Sequence, residues 1–399
     1  MTYTETAAPA ANTVTRWGVP VLGFGVFAVA TNEFVLAGML PQLSATLRVP
    51  IPAAGQVVTV YALACALFGP ILATVTTTWP RRRVLLTAVL VYGVGTVAAA
   101  LSPAFGILLV AQAVAAAGTG LFVPVAAATG AALVPPERRG RAIAVVLTGF
   151  TTATALGAPI GTAVGSQLGW RATMWFVVAL AVLGGLGLMA LVPRAVATPA
   201  PAGIRQRIAP LADGRVLTTL ATTMLAFTSV YILYTYVAEV FSGATGNSGQ
   251  RLATIMLVFG VVAIFGSYAA GVLTDRVGGR GVMVLCLVWV AACLVVLPLV
   301  SWSFGTAIAF VAVFAVAAFS MSAPQQHRLI ELNPASAPIL VSLHSSILYL
   351  AIALAGVVGG LGITWAGAAR LGFVAAAVAV LALLMSEVSQ LLTRRSRRS

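Results

Sequence analysis

The sequence predicts an all-α membrane protein of twelve transmembrane helices, arranged as two six-helix bundles related by a pseudo-two-fold axis. Three observations lead there. The chain of 399 residues is 60% hydrophobic and only 8% charged, whereas a soluble domain carries about 25% charged residues. Its apolar runs continue without period-two alternation for roughly 20 residues, the length of a bilayer-crossing helix. One polar stretch, Pro193 to Arg215, parts the chain near its middle. Hydrocarbon offers backbone amides no outside partner, so continuous helices are the expected solution. The expected division is an N-terminal six-helix bundle over 1–192, a cytoplasmic linker over 193–215 and a C-terminal six-helix bundle with a basic tail over 216–399.

A net charge of +14 would suggest nucleic acid as a partner in a soluble protein. Its placement suggests topology instead. With a cytoplasmic amino terminus and twelve spans, only Arg48, Arg171, Arg251 and Arg370 among the 22 basic residues, all arginine, fall on the outer side. The positive-inside rule then sets both termini and the linker in the cytoplasm, and no nucleic-acid partner is needed. Cys65, Cys286 and Cys293 lie in apolar segments without metal-site or disulfide spacing and read as small core hydrophobes. The first fifteen residues are polar, so no cleavable signal peptide is expected. No nucleotide-binding loop, metal cluster or nucleophile–base set stands out, and neither an enzyme nor a cofactor is expected.

The elements follow in order. Span 1, about Gly18 to Leu40, holds Asn32 and Glu33 within TNEFVLAGMLP. Glu33 should lie about 10 Å below the outer end at 1.5 Å per residue. A carboxylate at that depth is expensive and is a functional candidate by default, a structural acid being the plainer alternative. Span 2, about Ala54 to Thr76, stops at Arg81–Arg83, which anchor the cytoplasmic end. Span 3, about Val84 to Leu101, is featureless. Span 4, about Phe105 to Ala132, carries Gln112, read as facing the interior. Span 5, about Ala142 to Ser166, sets Gly149, Gly157, Gly161 and Gly165 on one face beside Pro159. Such a helix gives up intrinsic propensity and needs close packing in return. Span 6 follows Gly169–Arg171 and ends near Val192.

The second half repeats the first. Span 7, about Val216 to Phe241, carries Tyr231, Tyr234 and Tyr236, readable as pocket wall or interfacial belt, with Glu239 near its outer end. Span 8, about Leu252 to Thr274, leads into Asp275, Arg276 and Arg280. A slide of 198 residues sets Thr77 and Arg82 against Asp275 and Arg280, and a slide of 200 sets Pro124 on Pro324. Weak repetition at half length marks transporters built from two related bundles. Spans 9 and 10 run from about Gly281 to Val300 and Gly305 to Pro324, followed by a turn crowded with Gln325, His327, Arg328 and Glu331. Span 11, about Pro338 to Leu361, contains His344 among Ser342, Ser345 and Ser346, a titratable or a hydrogen-bonded structural histidine. Span 12, about Arg370 to Leu391, precedes an arginine-rich tail suited to anionic lipid.

These residues resemble the major facilitator superfamily, and within it the twelve-span drug:proton antiporters, over nearly the whole chain. The Gly271–Arg280 loop is similar to the signature between spans 2 and 3, echoed between spans 8 and 9. Gly149, Gly157, Pro159 and Gly161 resemble the span 5 signature of the antiporters. Asn32-Glu33-Phe34, the Trp79–Arg83 stop, Pro324-Gln325 and Ser342-Leu343-His344 are similar to the arabinose-efflux and chloramphenicol-resistance exporters. Thr77 stands where the loop signature has an acid, and Gln112 where many antiporters have an arginine.

The resemblance implies a monomeric exporter in a bacterial inner membrane, passing a small amphiphilic, chloramphenicol-like compound outward against protons. Glu33 and His344 would carry coupling. Asn32, Gln112, Tyr231, Tyr234, Tyr236 and Gln325 would line the cavity, while Gly149, Gly157, Pro159, Gly161, Asp275, Arg276 and Arg280 would serve gating. A sugar or metabolite exporter of the same fold and a transport-inactive scaffold or sensor are the alternatives.

Overall fold

The computed structural model describes residues 10–194 and 209–396. The linker arginines Arg205 and Arg207, and Arg397 and Arg398 of the tail, lie outside the described residues. Twelve helices are long and apolar enough to cross a membrane. Spans 1 to 6 are Trp17–Leu47, Ile51–Val75, Arg81–Ala100, Phe105–Ala132, Pro136–Leu168 and Trp170–Leu191. Spans 7 to 12 are Gly214–Thr235, Gly249–Val277, Gly279–Val300, Phe304–Leu332, Pro334–Ala366 and Ala368–Arg394. They form the two expected bundles.

Several boundaries differ from the sequence expectation. Span 1 runs on through Pro41 to Leu47. Glu33 therefore sits 14 residues, about 21 Å at 1.5 Å per residue, from that end, near the middle of the span and not close below its mouth. Span 7 stops at Thr235 and gives way to the short helices Val237–Val240 and Ser242–Thr245. Span 10 continues after a break at Phe319–Met321 as the helix Ser322–Leu332. The segment read as a turn is thus helical, with Gln325 and Arg328 buried on one side.

The repeat is visible in local geometry. Gly169 and Gly367, 198 residues apart, both take positive φ, +84° and +79°, to link spans 5–6 and 11–12, a conformation that costs glycine little. Arg82 donates to the Met189 carbonyl. The corresponding pair in the second half is Arg280 with Glu387, joined at 2.7 Å.

The bundles meet unevenly. Among the described residues, three hydrogen bonds cross between them: Gln56 Nε2 to Gly356 O at 3.4 Å, Thr59 Oγ1 to Ala353 O at 3.2 Å, and Thr162 Oγ1 to Met256 Sδ at 3.4 Å. All belong to the arginine-poor half. Glycines admit the close approach: a Cβ on Gly260 would lie 2.7 Å from Ala155 N, and one on Gly249 2.7 Å from Ser166 Oγ. Toward the arginine-rich end, Thr148 and Thr151 of span 5 and Ser342 and Ser345 of span 11 are exposed. The molecule is closed at one end and parted at the other.

Candidate functional site

Span 1 places three consecutive polar side chains on three faces. Thr31 points to span 5, where a Cβ on Gly157 would come within 2.9 Å of its Cγ2. Asn32 turns into the N-terminal bundle, its Nδ2 donating to Gln112 Oε1 at 2.8 Å. Gln112 Nε2 contacts Met174 Sδ of span 6 at 3.5 Å. Asn32 and Gln112, both expected in the cavity, are fully buried within one bundle, because the 100° step between helix neighbours separates Asn32 from the face Glu33 occupies.

Glu33 points to the contact between bundles. It is 4% exposed, and neither carboxyl oxygen has a hydrogen-bond partner. Tyr61 and Cys65 of span 2, Tyr231 and Tyr234 of span 7 and Tyr349 of span 11 lie within electrostatic reach of it. The Tyr231 and Tyr234 hydroxyls are likewise buried and unpartnered. Buried polar groups normally find partners, so a carboxyl and two phenols without any, gathered at one place, are a set of open valences.

Aromatic rings enclose them. Phe34 meets Tyr234 edge to face at 5.8 Å across the bundle boundary, and Tyr231 meets Tyr234 at 6.0 Å and Phe319 at 5.7 Å. Phe259 lies 5.2 Å from Tyr234. Offset and edge-on contacts of this kind hold planar apolar groups in defined orientations. The site offers hydrogen-bond acceptors, phenolic donors and ring edges together.

The other expected residues sit elsewhere. Tyr236 donates to Gly356 O at 2.7 Å and packs on Gly55, Gly359 and Gly360 in the closed arginine-poor end, away from the pair below it. Gln325 is tied to span 7 and to its own helix: its Nε2 donates to Thr219 O and Thr223 Oγ1, and its Oε1 accepts from Arg328 at 3.0 Å. Arg328, 8% exposed, also donates to Ser386 Oγ at 3.0 Å. His344 is buried, its Nε2 3.1 Å from Ser322 Oγ and its ring edge-on to Phe227. Gly149, Gly157 and Gly161 face Phe27, Thr31 and Val35 of span 1 in the same bundle. Just before Pro159, residues Ala153–Gly157 form a π-helical turn, a feature frequent at functional sites. Asp275 and Arg276 are exposed.

Two residues escaped the sequence reading. Tyr61, bonded to Thr119 Oγ1 at 2.7 Å, and Tyr349 both flank Glu33. Arg328, read only as part of a turn, organises the span 7–10–12 contact. A tyrosine well inside an apolar run was the available signal for the first two.

Comparison with known proteins agrees with this architecture. Residues 22–324 match the model of the Major Facilitator Superfamily. The chain is 34% identical over 229 residues to the "Chloramphenicol resistance protein" of Streptomyces lividans, covering 57% of this chain and 58% of that protein. The chain thus spans little more than half the length of that relative. It is 28% identical over 389 residues to the MFS-type transporter YbcL of Bacillus subtilis (strain 168), covering 94% and 98% of the two chains. Among solved structures, a bacterial homolog of the human lysosomal transporter Spinster superposes with a TM-score of 0.76 at 18% identity, over 98% of each chain. With twelve spans in two bundles and three quarters of its length matched, the chain belongs to the Major Facilitator Superfamily.

Proposed function

We propose that this transporter exports a small amphiphilic, chloramphenicol-like compound across the bacterial inner membrane in exchange for protons. The observation that carries the reading is the unpartnered Glu33 carboxyl facing the unpartnered Tyr231 and Tyr234 hydroxyls inside an aromatic cage. A protonated carboxyl is far cheaper to bury than an ionised one. Glu33 accordingly holds either a proton or a polar substrate group, and competition between the two couples their movements. Similarity to a chloramphenicol resistance protein supports the substrate class. Residues 1–192 and 216–399 move as two bodies joined by 193–215. The arginine-rich end faces the cytoplasm, so the parted end is an inward opening.

Vesicle flux tests it. Glu33→Gln mimics the protonated carboxyl, and it should abolish chloramphenicol accumulation driven by a proton gradient while downhill exchange persists. Full coupling in that variant would end the assignment of Glu33 and leave His344 to be tested. Reporter fusions after Arg205 and at the carboxyl end should both give cytoplasmic signals; an external signal would overturn the orientation.

A further inference from the structure

Span 10 breaks at Phe319–Met321 and resumes with Ser322, which links Gln326 to His344 of span 11. The Gln326 amide donates to Ser322 Oγ at 3.2 Å, and Ser322 Oγ lies 3.1 Å from His344 Nε2. Among the described residues no carboxylate pairs with His344, and a buried imidazole without one is neutral. It then carries a single N–H. With the Ser322 hydroxyl donating to Nε2, both the hydroxyl hydrogen and the ring acceptor are used; the reverse direction strands the hydroxyl hydrogen. The ring proton therefore sits on Nδ1, which is buried and has no partner.

This open donor stands near the open valences around Glu33. The imidazole meets Phe227 edge to face at 6.4 Å, and Phe227 lies 6.5 Å from Tyr231, whose hydroxyl is itself unpartnered. Along span 11, His344 precedes Tyr349, a neighbour of Glu33, by five residues, about 7.5 Å at 1.5 Å per residue. It thus lies toward the arginine-rich end, where span 11 begins. Two ring-to-ring steps part the donor from the Glu33 cluster, an interval suited to one benzene ring with a hydrogen bond at each end.

We infer that His344 Nδ1 donates to an acceptor group on the substrate, while Glu33 accepts from a hydroxyl or amide N–H at the opposite end. The substrate class is then an aryl compound with a nitro, sulfonyl or carbonyl group across the ring from its donors. An ionised carboxyl only accepts hydrogen bonds, so Glu33 fixes which end of the compound it takes. The His344 N–H selects against a second donor at the other end. This subsite rests on the function proposed above and deepens it: Glu33 reads the donors of the cargo and His344 its acceptor. A histidine that served packing alone would treat such compounds alike.

Proton-driven uptake into inverted vesicles tests this with chloramphenicol and its analogues that have methylsulfonyl, hydrogen or amino in place of the nitro group. His344→Leu should lower transport of the nitro and methylsulfonyl compounds about two- to twelve-fold, the range of one neutral hydrogen bond, and leave the hydrogen analogue unchanged. Taking each variant relative to wild type cancels differences in how the compounds enter lipid. Ser322→Ala frees the ring proton to sit on either nitrogen, so the preference for acceptor compounds should shrink about two-fold. Equal losses for acceptor and hydrogen compounds in both variants, unchanged ratios in both, or a wild-type preference for the amino over the nitro compound would each overturn the donor role and leave chloramphenicol export standing. Should His344→Leu carry nothing, an unchanged ratio in Ser322→Ala overturns it and a smaller one supports it. Wild-type vesicles that carry none of these compounds overturn the substrate class, and the subsite with it.

Discussion

Gly260→Ala is the smallest change that addresses the moving contact. A Cβ there would lie 2.7 Å from both Ala155 N and Thr154 O, about 0.7 Å short of the 3.4 Å where ordinary contact begins. The neighbours are backbone atoms, so no rotamer change relieves the clash and the two helices must separate. Overpacking of this kind costs about 1–3 kcal/mol, here charged to whichever states keep spans 5 and 8 together at mid-membrane. If rocking pivots on this contact, both end states bear the cost and the transition between them loses its bearing. Export in vesicles should then fall, by about five-fold for each 1 kcal/mol by which the clash penalises one step of the cycle more than the states it connects. Gly93→Ala, on span 3 with open space around its Cβ position, is the matched control for helix content and insertion. Transport should be measured per molecule of protein after gel filtration in detergent. A Gly260→Ala variant that transports like Gly93→Ala would refute the pivot.

Two further outcomes follow from named contacts. Thr59→Val keeps the shape of the side chain and deletes the bond to Ala353 O between spans 2 and 11; at about 0.5–1.5 kcal/mol per bond, the population open at the arginine-poor end should rise about two- to twelve-fold. Spin labels at Leu168→Cys and Gln250→Cys, both exposed at that end, read the change as growth of a longer distance. Arg328→Ala strands Gln325 Oε1 at a cost of about 1–3 kcal/mol, so thermal stability in detergent should drop, and Arg328→Ala with Gln325→Leu should recover part of it. A double variant less stable than Arg328→Ala would show that the arginine acts through other contacts.

The fold was legible because lipid leaves so few solutions: run length, arginine placement and one polar linker sufficed. The functional site was legible only in part, for a physical reason. In water an apolar stripe marks the inside of a helix, but in a bilayer both lipid and core are apolar, so span 1 gives no sign of which way Asn32 and Glu33 turn. Glu33 stood out because a carboxyl is costly on any face. Asn32, Gln112 and Gln325 stood out equally as polar residues, yet each bonds a partner 80 or more residues away in sequence, which no local pattern records. The glycines of span 5 were readable as a packing face, but not the helix they pack on. Asp275 and Thr77 were readable as a broken repeat.

The composition of the candidate site bears on how occupancy could drive rocking. A ligand shifts a two-state equilibrium only through its difference in affinity for the two states. A site built wholly within one bundle would move with that bundle and offer no such difference. Here the carboxyl comes from span 1 and the phenols from span 7, with Phe34 and Tyr234 in edge contact across the boundary. A substrate that accepts from Tyr231 or Tyr234 and donates to Glu33 therefore touches both bodies at once, and separation of the bodies breaks part of its binding. A proton on Glu33 removes the charged acceptor from one side only, leaving the span 7 contribution intact. On the proposed function, coupling needs no second buried acid: the single carboxyl is the element whose interaction with the opposite bundle changes with what it holds.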